Sequence, residues 1–136
     1  GSRMGTWNEG AFDNDDASDF IDDLAEAPDW RTVIQMLDHV TKSAGYLEAP
    51  EGQMAVAAAA IVAAAVGDVA ILPDDRRDLK AALGAPPQGA VALARSALAR
   101  VVAPASELDE LWQEGDDHDA WLTQIAALQT TLSAFQ

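Results

Sequence analysis

Apolar residues recur every three or four positions over most of the chain, a spacing that places them on one face of an α-helix. The first such stretch begins after Asp13 or Asn14, either of which can cap a helix, and it ends at Pro28. Its apolar positions are Ala17, Phe20, Ile21 and Leu24. A second helix is predicted from Asp29 to Gly45. Its apolar positions are Trp30, Val33, Ile34, Leu37 and Val40.

The segment from Gln53 to Val66 carries no charged residue on any face. A helix that is apolar all round is enclosed by other elements, and small alanine side chains let neighbouring backbones approach closely. We therefore predict a central helix here. Pro50 suits its first turn, and Gly67 is expected to end it in a left-handed conformation.

The second half of the chain repeats the helical spacing. Short helices are predicted from Asp75 to Leu83 and after the capping-box sequence Ser106-Glu107-Leu108-Asp109, where Leu111 and Trp112 would face the core. The two longer helices carry Val91, Ala94, Leu98 and Val101, and then Trp121, Ile125, Leu128, Leu132 and Phe135. Only the stretch Asp68 to Leu72 alternates like a strand, and it is too short to found a sheet.

These segments predict an all-α fold, a single compact helical bundle of about five main helices plus two short ones. The domain is expected to span residues 4–136, with residues 1–3 a remnant of an expression tag. The chain has 23 acidic and 8 basic residues and a formal charge of −15, so the phosphates of a nucleic acid would be repelled. It has no cysteine, which excludes disulfides, cysteine-ligated zinc and thiol catalysis.

The start of the chain lacks the basic and apolar regions of a secretory signal, and the uncharged stretch Gly52 to Gly67 is short for a bilayer span. We therefore expect a cytoplasmic protein with no membrane partner and no cofactor. His39 and His118 are far apart and lack metal-ligand spacing, and no Gly-x-Ser-x-Gly elbow is present. No catalytic residue is identified.

The acids at the start of the first helix are the candidate metal ligands: Asp13, Asp15, Asp16 and Asp19. Carboxylates spaced three or four residues apart share a helix face, where Mg²⁺ could bridge them. An EF-hand is excluded, because positions five, six and twelve counted from Asp13 are Ala17, Ser18 and Leu24. A second acid group would have to come from Glu48, Glu51 and Asp78. The alternative is that these aspartates cap the helix and face water.

Two aromatic residues, Trp7 and Phe12, precede the first helix. Burying each would contribute about 1.5–3 kcal/mol, so we expect this segment to fold back on the bundle. The alternative is an exposed aromatic arm that docks on a partner. In either case the motif of interest is Trp7, Phe12, Asp13, Asn14 and Asp15.

The N-terminal pattern Met-Gly-x-Trp-x-x-Gly-x-Phe-Asp-Asn-Asp, which runs from Met4 to Asp15, resembles the opening of a bacterial family of small acidic proteins classed as a domain of unknown function. The resemblance continues through Tyr46-Leu47-Glu48-Ala49-Pro50-Glu51 and ends near Ser106 to Trp112, with Trp121 beyond. Asn8 and Ala11 stand where the family pattern suggests glycine and proline. The resemblance implies the fold and the domain limits, and it assigns no activity.

Two hypotheses follow for function. The preferred one is a non-enzymatic acidic domain that binds another protein, either a basic one or a second copy of itself. An immunity or antitoxin role fits its size and charge, because opposite charges speed association with a basic toxin. The alternative is a Mg²⁺-dependent hydrolase that uses Asp13, Asp15, Asp16 and Asp19.

Overall fold

The computed structural model describes residues 11–135, which form seven α-helices and two short 3-10 turns. The helices are α1 (Asp15–Glu26), α2 (Trp30–Thr41), α3 (Ala49–Val66), α4 (Leu79–Leu83), α5 (Ala90–Val101), α6 (Glu107–Gln113) and α7 (His118–Ser133). The 3-10 turns are Val69–Ile71 and Asp74–Arg76. The all-α prediction is confirmed. The division into five main and two short helices is consistent with α4 and α6 being the shortest.

Helix α3 lies at the centre of the fold, as its uncharged sequence predicts. Thirteen of its eighteen residues are buried, and every residue from Ala55 to Ala64 is inaccessible or nearly so. It packs against α1, α2, α5, α6 and α7. Among the described residues, α3 also has the length and apolar composition of a membrane span, but 72% of it is buried inside the protein, as in many core helices.

The helices around α3 do not close completely. Helix α2 packs on α5, α5 packs on α7, and α7 packs on α6. Helix α1 packs mainly on α3, and the contacts of the described chain include no extensive packing of α1 against α7. A groove therefore runs between α1 and α7, over the surface of α3.

A buried hydrogen bond joins the start of α1 to α3. The Asn14 side chain accepts a hydrogen bond from the backbone N–H of Ala17 at 2.8 Å, so Asn14 rather than Asp13 caps α1. Its Nδ2 group donates to Gln53 Oε1 at 2.9 Å. Asn14 and Gln53 are both buried, so this bond fixes the position of α1 on the apolar surface of the central helix.

Arg100 holds two loops together at the end of α5. Its guanidinium donates to the backbone carbonyls of Ser43 at 3.1 Å and Gly45 at 2.6 Å in one loop, and to that of Ala105 at 3.3 Å in the other. The same loops pair through two backbone bonds of 2.8 Å, from Leu47 N–H to Ala105 and from Glu107 N–H to Leu47. Ala105 adopts a left-handed φ of 66° to make this connection.

Three predicted boundaries are wrong. Helix α2 ends at Thr41 and not at Gly45, because the carbonyls of the following loop are bound by Arg100. Gly67 ends α3 with a φ of −123°, which is not left-handed. The helix predicted from Asp75 is divided into the 3-10 turn Asp74–Arg76 and α4. The strand-like stretch at Asp68 instead forms a 3-10 turn, because the Asp68 carboxylate accepts the N–H of Ala70.

Because the Asn14 cap is buried, replacing Asn14 should lower the unfolding free energy more than replacing an exposed cap. Asn14→Ala removes the cap and leaves the Gln53 oxygen buried without a partner, so we expect a loss of about 2–3 kcal/mol in unfolding free energy. At the start of α2, the exposed Asp29 carboxylate caps the helix by accepting the N–H of Arg31. Asp29→Ala removes this cap and should lower the unfolding free energy by about 1 kcal/mol. Urea unfolding of the two variants measures the difference. Equal losses would show that the bond to Gln53 contributes nothing.

Candidate functional site

The predicted metal ligands are spread over the first turns of α1 and the residues before it. Asp15 and Asp16 occupy the first helical turn, where their negative charge complements the helix dipole. Asp13, Asp15 and Asp19 are exposed. Within residues 11–135, no group of three or more histidine, aspartate or glutamate side chains is placed to hold one metal ion. Glu51, one of the three acids considered as a second group of metal ligands, is hydrogen-bonded to His39.

The aromatic motif is only partly within the described residues. Trp7 lies outside them, so the expectation that it packs on the bundle stays a prediction. Phe12 is half-buried and packs against the hydrophobic core.

Magnesium provides a direct test of the hydrolase hypothesis. A micromolar site would stabilise the protein by about 4 kcal/mol at about 1 mM ion. Because the aspartates of α1 face water or complement the helix dipole, we expect about 1 mM MgCl₂ to shift the melting temperature no more than NaCl of equal ionic strength. A saturable shift that Asp15→Asn or Asp16→Asn abolishes would support the hydrolase.

Helix α6 and the loop that carries Tyr46 together form a surface with two exposed apolar side chains and three glutamates. We call it the Tyr46 face and define it by Tyr46, Glu107, Glu110, Leu111 and Glu114. Tyr46 is 53% exposed and Leu111 is 40% exposed. Every charged member of the face is acidic.

Two of the three glutamates of this face are hydrogen-bonded, one to Tyr46 and one to the backbone. The Tyr46 hydroxyl donates to Glu110 Oε1 at 2.7 Å. The Glu107 carboxylate accepts the backbone N–H of Ala49 at 2.7 Å, at the start of α3. The face therefore combines the loop that carries Tyr46, which Arg100 contacts, with helix α6 and its C-terminal end.

Three carboxylates act on the Tyr46 hydroxyl. The hydrogen bond to Glu110 is the largest influence, followed by desolvation and then by the negative charges of Glu110, Glu107 and Glu114, and together they raise the pKa of Tyr46 to about 12. The three glutamates of the face are thus close enough to act as one field of negative potential around an exposed aromatic ring.

Helix α6 orients this face through its buried side. Leu108 and Trp112 point into the core, and Trp112 stacks on Trp121 of α7 with ring centroids 5.9 Å apart. The Asp109 carboxylate binds His118 Nε2 at 2.8 Å and accepts from Gln113 at 2.7 Å. These contacts fix the rotation of α6 about its axis.

Two expectations about α6 need correction. Ser106 caps the helix by accepting the N–H of Asp109, but the acid side chain of the predicted capping box bonds to His118 and Gln113 instead of returning to the cap. Leu111, predicted to face the core, is exposed, because the buried side of α6 is the one that carries Leu108 and Trp112. Phe135, on the predicted stripe of α7, is likewise 52% exposed.

The groove between α1 and α7 is the second candidate site. It has a volume of about 590 Å³. An ion pair stands at its edge, in which Arg76 Nη2 and Nε lie 2.8 Å and 3.1 Å from Asp22 Oδ1. The sequence gives no sign of this pair, because its two members are 54 positions apart and belong to different elements.

Comparison with known proteins identifies the family. Residues 5–124 match a family model described as "Domain of unknown function (DUF4259)". The chain belongs to the DUF4259 family. The expected family resemblance is thereby confirmed, and the DUF4259 match includes Trp7 and the whole Tyr46 face. Searches of curated proteins and of solved structures find no match.

The raised pKa predicts a measurable titration, since Tyr46 is the one tyrosine of the chain. Phenolate absorbance should titrate with a midpoint near 12, and Glu110→Gln should move the midpoint toward the ordinary value of 10.0. The folded-state pKa is raised, so the stability contributed by the neutral hydroxyl is present below pH 10 and lost as the pH rises through about 12. Circular dichroism at each pH checks that the helices persist. An unchanged midpoint in Glu110→Gln would contradict this assignment.

Proposed function

We propose that this DUF4259 protein is a non-enzymatic, acidic protein-interaction domain that binds a basic protein through the Tyr46 face. The observation that carries the proposal is the exposure of Tyr46 and Leu111 among three glutamates. Tyrosine is enriched among residues that dominate binding energy, because its large ring buries much area at a small entropy cost. The surrounding carboxylates would select a partner with lysine or arginine opposite them.

The charge of the chain supports a basic partner over a second copy. Two copies would each bring a formal charge of −15, and juxtaposing their acidic faces would be unfavourable. A basic protein would instead be attracted over several ångströms and would associate faster at low salt. An immunity or antitoxin role in the cytoplasm is the biological setting that fits this proposal.

The elements that carry the face are held by contacts within the protein. The loop that carries Tyr46 is held by Arg100 and by backbone pairing with the loop that begins α6. Helix α6 is itself fixed by the stacking of Trp112 on Trp121. A preorganised surface loses less conformational entropy on binding, which favours affinity.

Comparative capture from a lysate of the native host tests the proposal. The Tyr46→Ala/Leu111→Ser double variant removes the apolar centre and should weaken partner binding at least about tenfold, since hot-spot residues each contribute more than about 1 kcal/mol. Both side chains are exposed, so the melting temperature should change little. Phe135→Ser is the matched control, because it removes an exposed apolar side chain outside the face.

The proposal expects a basic protein that the wild type and Phe135→Ser retain and that the double variant releases. Added salt should lower the association rate of that protein more than it raises the dissociation rate. Equal retention by the double variant, or an acidic partner, would refute the proposal.

A further inference from the structure

The groove between α1 and α7 has the form of a small-molecule site and is separate from the Tyr46 face. Polar and apolar atoms contribute about equally to its accessible lining. The apolar part includes the half-buried Phe12, Ile71 and Pro73, whereas Val56, Ile125 and Leu128 are almost fully buried beside it. Its volume of about 590 Å³ lies within the range of about 300–1,000 Å³ that is usual for ligand pockets. It exists because α1 and α7 both pack on α3 without closing against each other.

The charged residues that line the groove favour a cation. They are Asp13, Asp22, Asp75 and Arg76, which together carry a net negative charge. The Arg76 guanidinium is already engaged, since it donates twice to Asp22 Oδ1 and once, at 3.2 Å, to the backbone carbonyl of Asp75. Asp13 and Asp75 are exposed at the rim, where a bound cation would meet them.

The apolar part of the lining and the exposed carboxylates impose two requirements on one ligand. A short hydrocarbon chain can lie along the half-buried Phe12, Ile71 and Pro73 while its cationic head stays beside the exposed carboxylates. A lysine side chain lies on an apolar surface in the same way, with its ammonium group in water. An anion would be repelled by the carboxylates. A second copy of this chain would bring another acidic α1 against the first, which electrostatic repulsion disfavours.

We propose that the groove between α1 and α7 binds a small organic cation, a primary amine or guanidine on a short aliphatic chain. This site does not depend on the proposed protein partner, because it lies on other elements and uses none of the residues of the Tyr46 face.

The probe is n-hexylammonium, compared with 1-hexanol and hexanoate at equal ionic strength. NMR signals of the Ile71 and Ile125 methyl groups report on the groove, and those of Ile34 report on another surface. We expect saturable shifts of the Ile71 and Ile125 signals with hexylammonium, weaker shifts with hexanol and none with hexanoate. The Ile34 signals should not move.

Two pairs of variants locate the binding. Ala127→Trp places an indole in the groove and should abolish the shifts, whereas Ala126→Trp, at the exposed neighbouring position that does not line the groove, should leave them unchanged. Asp75→Asn should weaken binding about twofold to fivefold, as expected for an exposed ion pair. Asp23→Asn removes an exposed acid of α1 away from the groove and should have no effect.

Three results would overturn the proposal. Hexanoate could bind as well as hexylammonium, which would show that charge does not select the ligand. Ala127→Trp and Asp75→Asn could both leave the shifts unchanged, which would place the probe elsewhere. Shifts that appear only after residues 1–10 are removed would show that the chain's own N-terminal segment, and not a small cation, occupies the groove.

Discussion

The rest of the structure depends on the enclosure of α3. Its uncharged surface must be removed from water on nearly every side, and each surrounding helix contributes an apolar stripe to that end. The small side chains of α3 allow the backbones of the surrounding helices to approach closely. A Cβ atom at Gly52 would lie 3.2 Å from Leu108 Cβ and Cδ2, tighter than most carbon contacts, so the absence of a side chain there sets how near α6 can pack. The position of α6, and with it the Tyr46 face, follows from this approach.

Two polar connections determine how the surrounding helices are oriented. The Asn14–Gln53 bond fixes α1 on the central helix, and Arg100 joins the loop before α3 to the loop before α6. Apolar packing tolerates sliding between helices, whereas buried hydrogen bonds require a particular register because an unpaired polar group is costly. The left-handed backbone at Ala105 is tolerated because the Arg100 contacts and the Leu47 pairing hold it.

The distribution of charge links the fold to the proposed interactions. Several of the few basic side chains are used within the protein: Arg76 pairs with Asp22, Lys42 with Asp38, and Arg100 with backbone carbonyls. The 23 acidic side chains far outnumber the 8 basic ones, so negative charge dominates the chain. Around Tyr46 acidic side chains surround an exposed aromatic ring, and at the groove they border a lining of mixed polar and apolar character. The same excess of acid thus contributes to two surfaces, one proposed to bind a protein and one proposed to bind a small cation.

The sequence by itself determined the all-α class, the central position of α3, the inward faces of α1 and α2, and the cap at Asp29. These features are local: helical spacing shows which face is apolar, and a cap bonds within its own first turn. The tertiary structure alone decided that α2 stops at Thr41, that Asp109 bonds to His118, that Leu111 remains exposed, and that Asp22 meets Arg76 beside an open groove. Each of these depends on residues distant in sequence, because periodicity shows that a face will be covered but not which neighbour covers it or where the cover is incomplete.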